Sequence, residues 1–367
     1  MPAAVPHVDK AALLQLVRIA LLNEPSDDFP SLSEQQWSDL FLYAVRHKII
    51  GVIHEGMSKL PDSLRPPRRL WLRFCAERDR VEIHSRKRLS VLANLSQFFD
   101  SMGIRTLVLK GAQLASFYPI PYIREYGDLD IYQFGDYRKG DDLISKHHGI
   151  KVSNESPHHT KYLFQGHTVE NHYDFLNTRA FRSNRPLESL LKQWIGEECS
   201  VSSISSSFYE PSARFNALFL VRHLAGHFAA GQVTVRDLCD WRMFLQYAGS
   251  MVDWTEQYSI YRQYNMHHFV SSLQSIMEDY FALAPIPGLP REKSQALADR
   301  VLNDIIYGEF QEPECKADGL KRMLWKIRRF RANRWKFEIV YSDSRLLSIL
   351  TNIFSHFLKP KSIFHKV

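Results

Sequence analysis

The sequence predicts an α+β protein in which a small mixed β-sheet core is flanked by helical regions on its N-terminal and C-terminal sides. Three observations predict it. Apolar residues recur at helical spacing from residue 8 to about 102, and the period then breaks into short strand-like and helix-like pieces as far as about 177. After the serine-rich connection "SVSSISSSF", helical spacing returns and persists toward the C-terminus. The expected organisation is therefore a helical region over 1–102, an α/β core over 103–180, and a helical region over 181–367 that includes a basic amphipathic segment.

The first region opens with "SLSEQQWSDLFLYAV", where Ser33 and Gln36 stand at capping-box spacing and Trp37, Leu40, Phe41 and Ala44 follow on one helical face. A proline-rich break, "LPDSLRPPRR", separates it from a helix carrying Leu89, Leu92, Leu95, Phe99 and Met102 at three- and four-residue steps, which Gly103 is placed to end. In the core, "IRTLVLK" reads as a strand, "GAQLASFY" as a helix, "YGDLDIY" as an alternating strand and "DYRKGDDLISKHH" as another helix. "KYLFQ" and "HTVENHYDFL" read as a strand pair around a Gln165-Gly166 turn. Farther on, "RFNALFLVRHLAGHF" puts Leu218, Val221, Ala225 and Phe228 on one face, and "VRDLCDWRMFLQYA" follows; no repeat of fixed period is visible.

Composition narrows the setting. A chain of 367 residues with 45% hydrophobic content buries a substantial core, which excludes general disorder. The net charge of +7 favours acidic partners such as nucleotides, nucleic acid or anionic lipid. Cys75, Cys199, Cys239 and Cys315 lack the spacing of a disulfide framework, no segment stays apolar for about 18 residues, and the N-terminus lacks a secretory pattern. A soluble cytoplasmic protein is expected.

The chemistry concentrates in "VLKGAQLASFYPIPYIREYGDLDIY". On a strand, Asp128 and Asp130 project to one side while Leu129 and Ile131 enter the core. Carboxylates that close repel unless a cation lies between them, and their hard oxygens suit Mg²⁺. Lys110 and Gly111 stand at a strand-to-helix junction, where backbone N–H groups and the lysine suit a phosphate. "VENHYDF" then offers Glu170, His172 and Asp174 on one face of a later strand, a source for a third carboxylate. A lone Asp-x-Asp is common on solvated strands and turns; the order of strand, Lys-Gly, helix, Arg-x-x-Gly-Asp-x-Asp and acidic strand is what carries the metal reading.

That order resembles the nucleotidyltransferase superfamily related to DNA polymerase β. More narrowly, the LKG step, the Arg before GDxD and the acidic-x-His strand resemble a bacterial family of uncharacterised nucleotidyltransferases. The resemblance implies a metal-dependent enzyme that uses Mg²⁺, with Mn²⁺ as its alternate, to move a nucleoside monophosphate from an NTP to a hydroxyl acceptor with release of pyrophosphate. It implies Asp128, Asp130 and Glu170 as metal-binding and catalytic carboxylates, with Asp174 the rival for the third place. It further implies Lys110, Gly111, Arg124 and Gly127 around the NTP. Ala112 follows Gly111 where the superfamily often has serine or glycine, so a hydroxyl for the triphosphate is missing.

Other residues have weaker claims. His172, Asp174, His223 and His227 are candidates for the acceptor side; His223 and His227 stand four apart, a zinc-compatible spacing, yet have no evident third ligand. His147, His148, His158 and His159 read as surface residues in loops, and Arg236, Asp237 and Asp240 as a capping and ion-pair set. The segment 320–336 holds eight Lys or Arg beside a stripe of Leu320, Met323, Leu324, Ile327 and Phe330. It would either pack on the protein or touch an anionic membrane, nucleic acid or a partner protein. The acceptor stays open among saccharide, small molecule, protein and RNA, and the alternative function is a non-catalytic module that binds an anionic partner through this basic helix.

Overall fold

The computed structural model describes residues 8–202, 207–310 and 320–343. The chain is α+β and divides into two compact units, each drawn from three separated stretches. One comprises Met1–Arg86, Leu114–Tyr126 and Leu224–Val340; the other comprises Lys87–Gln113, Gly127–His223 and Tyr341–Val367. The helix Arg68–Ser101 starts directly after Pro66-Pro67 and supplies residues to both units.

The regular elements of the first unit are, among its described residues, all helices. Its helix Glu34–Arg46 begins with the expected capping box, Ser33 with Gln36, and buries Trp37, Leu40, Phe41 and Ala44. Helix Ile50–Ser58 packs so closely on Lys10–Leu22 that a Cβ on Gly56 would lie 2.3 Å from the Leu16 carbonyl oxygen. Only glycine fits there.

The second unit holds a six-stranded mixed sheet of order β3-β4-β2-β1-β6-β5. The strands are β1 (Leu107–Val108), β2 (Leu129–Tyr132), β3 (His159–Phe164), β4 (His167–His172), β5 (Ser200–Val201) and β6 (Tyr209–Glu210). The helix before β1 ends as expected: Gly103 takes φ +70° and the Ile104 N–H donates to the Phe99 carbonyl at 2.9 Å. β3 and β4 pair as an antiparallel hairpin whose two-residue turn, Gln165 and Gly166, has positive φ at both positions, matching the strand twist. β2 runs parallel to β4 and antiparallel to β1. The sheet reaches past residue 180, because β5 and β6 are two residues each and leave no periodic signal in the sequence.

Cys75, Cys199 and Cys239 are free thiols, and Cys315 lies outside the described residues. Among the described residues no helix is long and apolar enough to cross a membrane. The basic segment forms helices Leu320–Ala332 and Arg334–Glu338. Its inward contact differs from the expected stripe: Leu324 is 46% exposed, whereas Trp325 is buried and meets Phe310 edge-on at 5.6 Å. The larger aromatic surface takes the buried place. The Leu320, Met323 and Phe330 side chains lie outside the described residues. Several of the charges have partners inside the unit. Lys336 Nζ is 2.6 Å from Asp304 in a buried pair, Arg329 donates to the Ala230 carbonyl at 2.8 Å, and Arg334 meets Glu338 at 2.6 Å.

Candidate active site

Strand alternation sets the first element of the site. Leu129 and Ile131 are buried, at 3% and 0% exposure, which turns Asp130 to the other face of β2. On the parallel neighbour, Val169 and Asn171 are buried and Glu170 stands in register opposite Asp130. Two carboxylates, forty residues apart in the chain, thus share one face of adjacent strands. Asp128 sits just before β2 and is exposed.

The β1-to-helix turn supplies a cation. Lys110 Nζ lies 3.4 Å from Asp130 Oδ1 and 3.1 Å from His223 Nε2. It is Lys110, rather than Gly111, that holds the left-handed backbone of this turn, at φ +52°. Gly111 starts the six-residue helix Gly111–Ser116. His172 completes the Asp130 environment: its Nδ1–H donates to the Asp174 carbonyl at 3.2 Å, and Nε2 faces Asp130 Oδ1 at 3.1 Å. Glu170 is met by His159 Nε2 at 3.5 Å and by Lys161 Nζ at 3.3 Å.

The electrostatics of the two carboxylates diverge. Burial works against ionising Asp130, but Lys110 and the His172 hydrogen bond outweigh it and hold the carboxyl well below the usual range. Glu170 is pushed up, first by burial and then by the neighbouring charges of Asp130 and Asp128. Burial followed by the nearby imidazoles and cations lowers His158 to about 4 and His159 to about 3, so both are neutral at physiological pH.

Among the described residues, Asp130, Glu170 and His172 form one group whose ligand atoms lie within 4.8 Å of one another, and His158, His159 and His172 form another. His158 and His159 correct the expectation of surface loop residues. His159 is the first residue of β3 and pairs across the hairpin with His172, which carries both residues into the half-buried cluster. The signal was the His-His step leading into the strand that partners "VENH".

The remaining candidates are dispersed. Asp128 belongs to neither group. The Asp174 carboxylate pairs with Lys192, which also lies 3.3 Å from Glu188. Gly127 is exposed, with open space around it. Arg124 belongs to the helical unit, where it is buried and grips Asp240 with Nε and Nη2 at 2.6 and 2.7 Å. His227 falls in the helical unit and His223 in the sheet unit, and no group of three metal ligands forms around them among the described residues. Arg236 and Asp237 form an ion pair at 3.0 Å, with Asp237 in a capping box with Thr234, as expected of this stretch.

A mixed sheet bearing cross-strand carboxylates beside a strand-to-helix turn defines a protein of the nucleotidyltransferase-like class. The chain belongs to the family described as uncharacterised nucleotidyltransferase, whose pattern matches residues 33–282. Among solved structures it is similar to an antigenic nucleotidyltransferase-like protein from Paracoccidioides brasiliensis, at 15% identity and a TM-score of 0.30, over 60% of this chain and 88% of that chain. No curated protein matches the sequence.

Proposed function

We propose that the protein transfers a nucleoside monophosphate from an NTP to a hydroxyl acceptor, in the manner of the superfamily related to DNA polymerase β. The observation that carries this reading is the in-register pair of Asp130 and Glu170 with Lys110 at the adjoining turn. The donor set fits a hard dication: Glu170 is raised first by burial and then by the charges of Asp130 and Asp128, and a cation beside them favours the ionised form of all three. Asp130 and Glu170, with Asp128 from the exposed position just before β2, would hold Mg²⁺ or Mn²⁺. When bound, the ion would supply charge neutralisation for the triphosphate.

The chain's own residues do the rest. Lys110 offsets phosphate charge from the turn, beside Gly111 at the start of the helix that follows. Glu170, opposite Asp130 on β4, accepts the acceptor's proton. The acceptor oxygen bonds to the α-phosphorus as the α–β bridging bond breaks and pyrophosphate leaves. Positioning and electrostatics provide most of the acceleration. The acceptor is a saccharide, small molecule, protein side chain or RNA end.

Thermal unfolding against ATP, GTP, CTP and UTP, with and without Mg²⁺, tests the reading. Saturation at a hundred times Kd is expected to add about 2.7 kcal/mol. Asp128→Ala with Asp130→Ala should abolish that gain. A gain that survives the double substitution, or that no nucleotide produces, overturns the assignment.

A further inference from the structure

The nitrogen side of this centre asks for a different ion from its oxygen side. Mg²⁺ seeks oxygen ligands, whereas imidazole suits Zn²⁺ and its first-row neighbours. Three imidazoles, from His158, His159 and His172, bring ligand atoms within 4.8 Å of one another, with ring centroids 4.6, 5.1 and 5.7 Å apart. We infer that His158, His159 and His172 form a binding site for an imidazole-preferring transition dication of the Zn²⁺ class.

Orientation supports the assignment. In metal-binding histidines one ring nitrogen is usually tied to the protein so that the other points at the ion. His172 ties Nδ1 to the Asp174 carbonyl at 3.2 Å and His159 ties Nδ1 to Ser156 Oγ at 3.2 Å. Their Nε2 atoms therefore turn to the Asp130 and Glu170 side. His158 Nδ1 is buried and, among the described residues, has no hydrogen-bond partner.

The backbone beneath is fixed as well. The His158 carbonyl accepts from the Tyr173 and Asp174 N–H groups, both at 3.1 Å, and the Ser156 carbonyl accepts from the Tyr173 hydroxyl at 3.0 Å. Without an ion, two of the rings are engaged by the carboxylates, His172 with Asp130 at 3.1 Å and His159 with Glu170 at 3.5 Å. With one, the adjoining carboxylates of Asp130 and Glu170 compensate its charge.

The test uses full-length protein freed of metal by chelation, without nucleotide, so its outcome is separate from that of the nucleotidyl-transfer reading. Co²⁺ serves as the visible probe. A stoichiometric visible absorption band is expected, displaced by Zn²⁺ and resistant to a large excess of Mg²⁺. The His158→Gln, His159→Gln variant, which retains Asp128, Asp130 and Glu170, should lose the band. Failure of Co²⁺ to bind the wild-type protein, or displacement by Mg²⁺, overturns the inference without recourse to any variant. So does a band that persists in a variant whose metal-free melting temperature matches wild type.

Discussion

Two carboxylates with cationic partners, a buried one in the helical unit and a half-buried one in the sheet unit, show how differently the same chemistry can be used. In the helical unit Asp240 is saturated: Oδ1 accepts from Arg124 Nε at 2.6 Å and from the Tyr118 hydroxyl at 2.7 Å, and Oδ2 accepts from Arg124 Nη2 at 2.7 Å. In the sheet unit Asp130 is only loosely engaged. Lys110 and His172 both approach one oxygen, at 3.4 and 3.1 Å, and another carboxylate stands opposite on β4. A bidentate fork with a third donor leaves no capacity for a ligand and is scaffold. A carboxylate with long, single contacts beside a like charge retains capacity, and that difference marks the site.

The comparison breaks first at Asp240. Asp240→Ala removes the carboxylate that Arg124 grips in the interior, which should cost about 3–5 kcal/mol in denaturant unfolding. Replacing both partners, Arg124→Met with Asp240→Leu, should recover much of that loss. If Arg124→Ala instead left stability intact and removed nucleotide binding, Arg124 would belong with the phosphate contacts that the family resemblance implies.

His47 sharpens the scaffold side through pH. It is buried, stacks on Tyr43 with centroids 4.0 Å apart, and its Nδ1 accepts the Val235 N–H at the start of helix Val235–Ala248. Burial, then the charge of Arg46, lowers its pKa from the ordinary 6.5 to about 4. The unfolded chain therefore binds the proton first, so stability falls as pH drops from about 6.5 toward 4, by roughly 3 kcal/mol in total. His47→Gln should flatten that part of the profile in unfolding curves measured at successive pH values. An unchanged slope would show that His47 takes up its proton without loss of fold.

Legibility in the sequence followed locality. The capping box at Ser33, the Gln165-Gly166 hairpin and the alternation around Asp130 are encoded within a few residues and were readable. Long-range pairings were not. The parallel register that sets Asp130 against Glu170 depends on which strands become neighbours, and no local pattern states that. Arg124 lies four residues before Asp128 yet finds its partner 116 residues away, because burial offers it Asp240 and Tyr118 together. His158 and His159 looked like loop residues because their cluster exists only once β3 pairs with β4.

The smallest expected effect on stability is also the finest test of the contrast between scaffold and site. Lys110 holds φ +52°, a conformation that costs a side-chain-bearing residue about 1–2 kcal/mol. Glycine removes that cost, while its greater freedom in the unfolded chain takes back about 0.4–1 kcal/mol. Loss of the half-buried contact to Asp130 outweighs what remains of the gain, so Lys110→Gly should lower unfolding free energy by about 1–2 kcal/mol. The same substitution should nevertheless abolish the stabilisation by nucleotide with Mg²⁺, since the turn loses its charge. A variant that loses several kcal/mol yet still responds to nucleotide would place Lys110 with Arg124, among the groups that hold the fold.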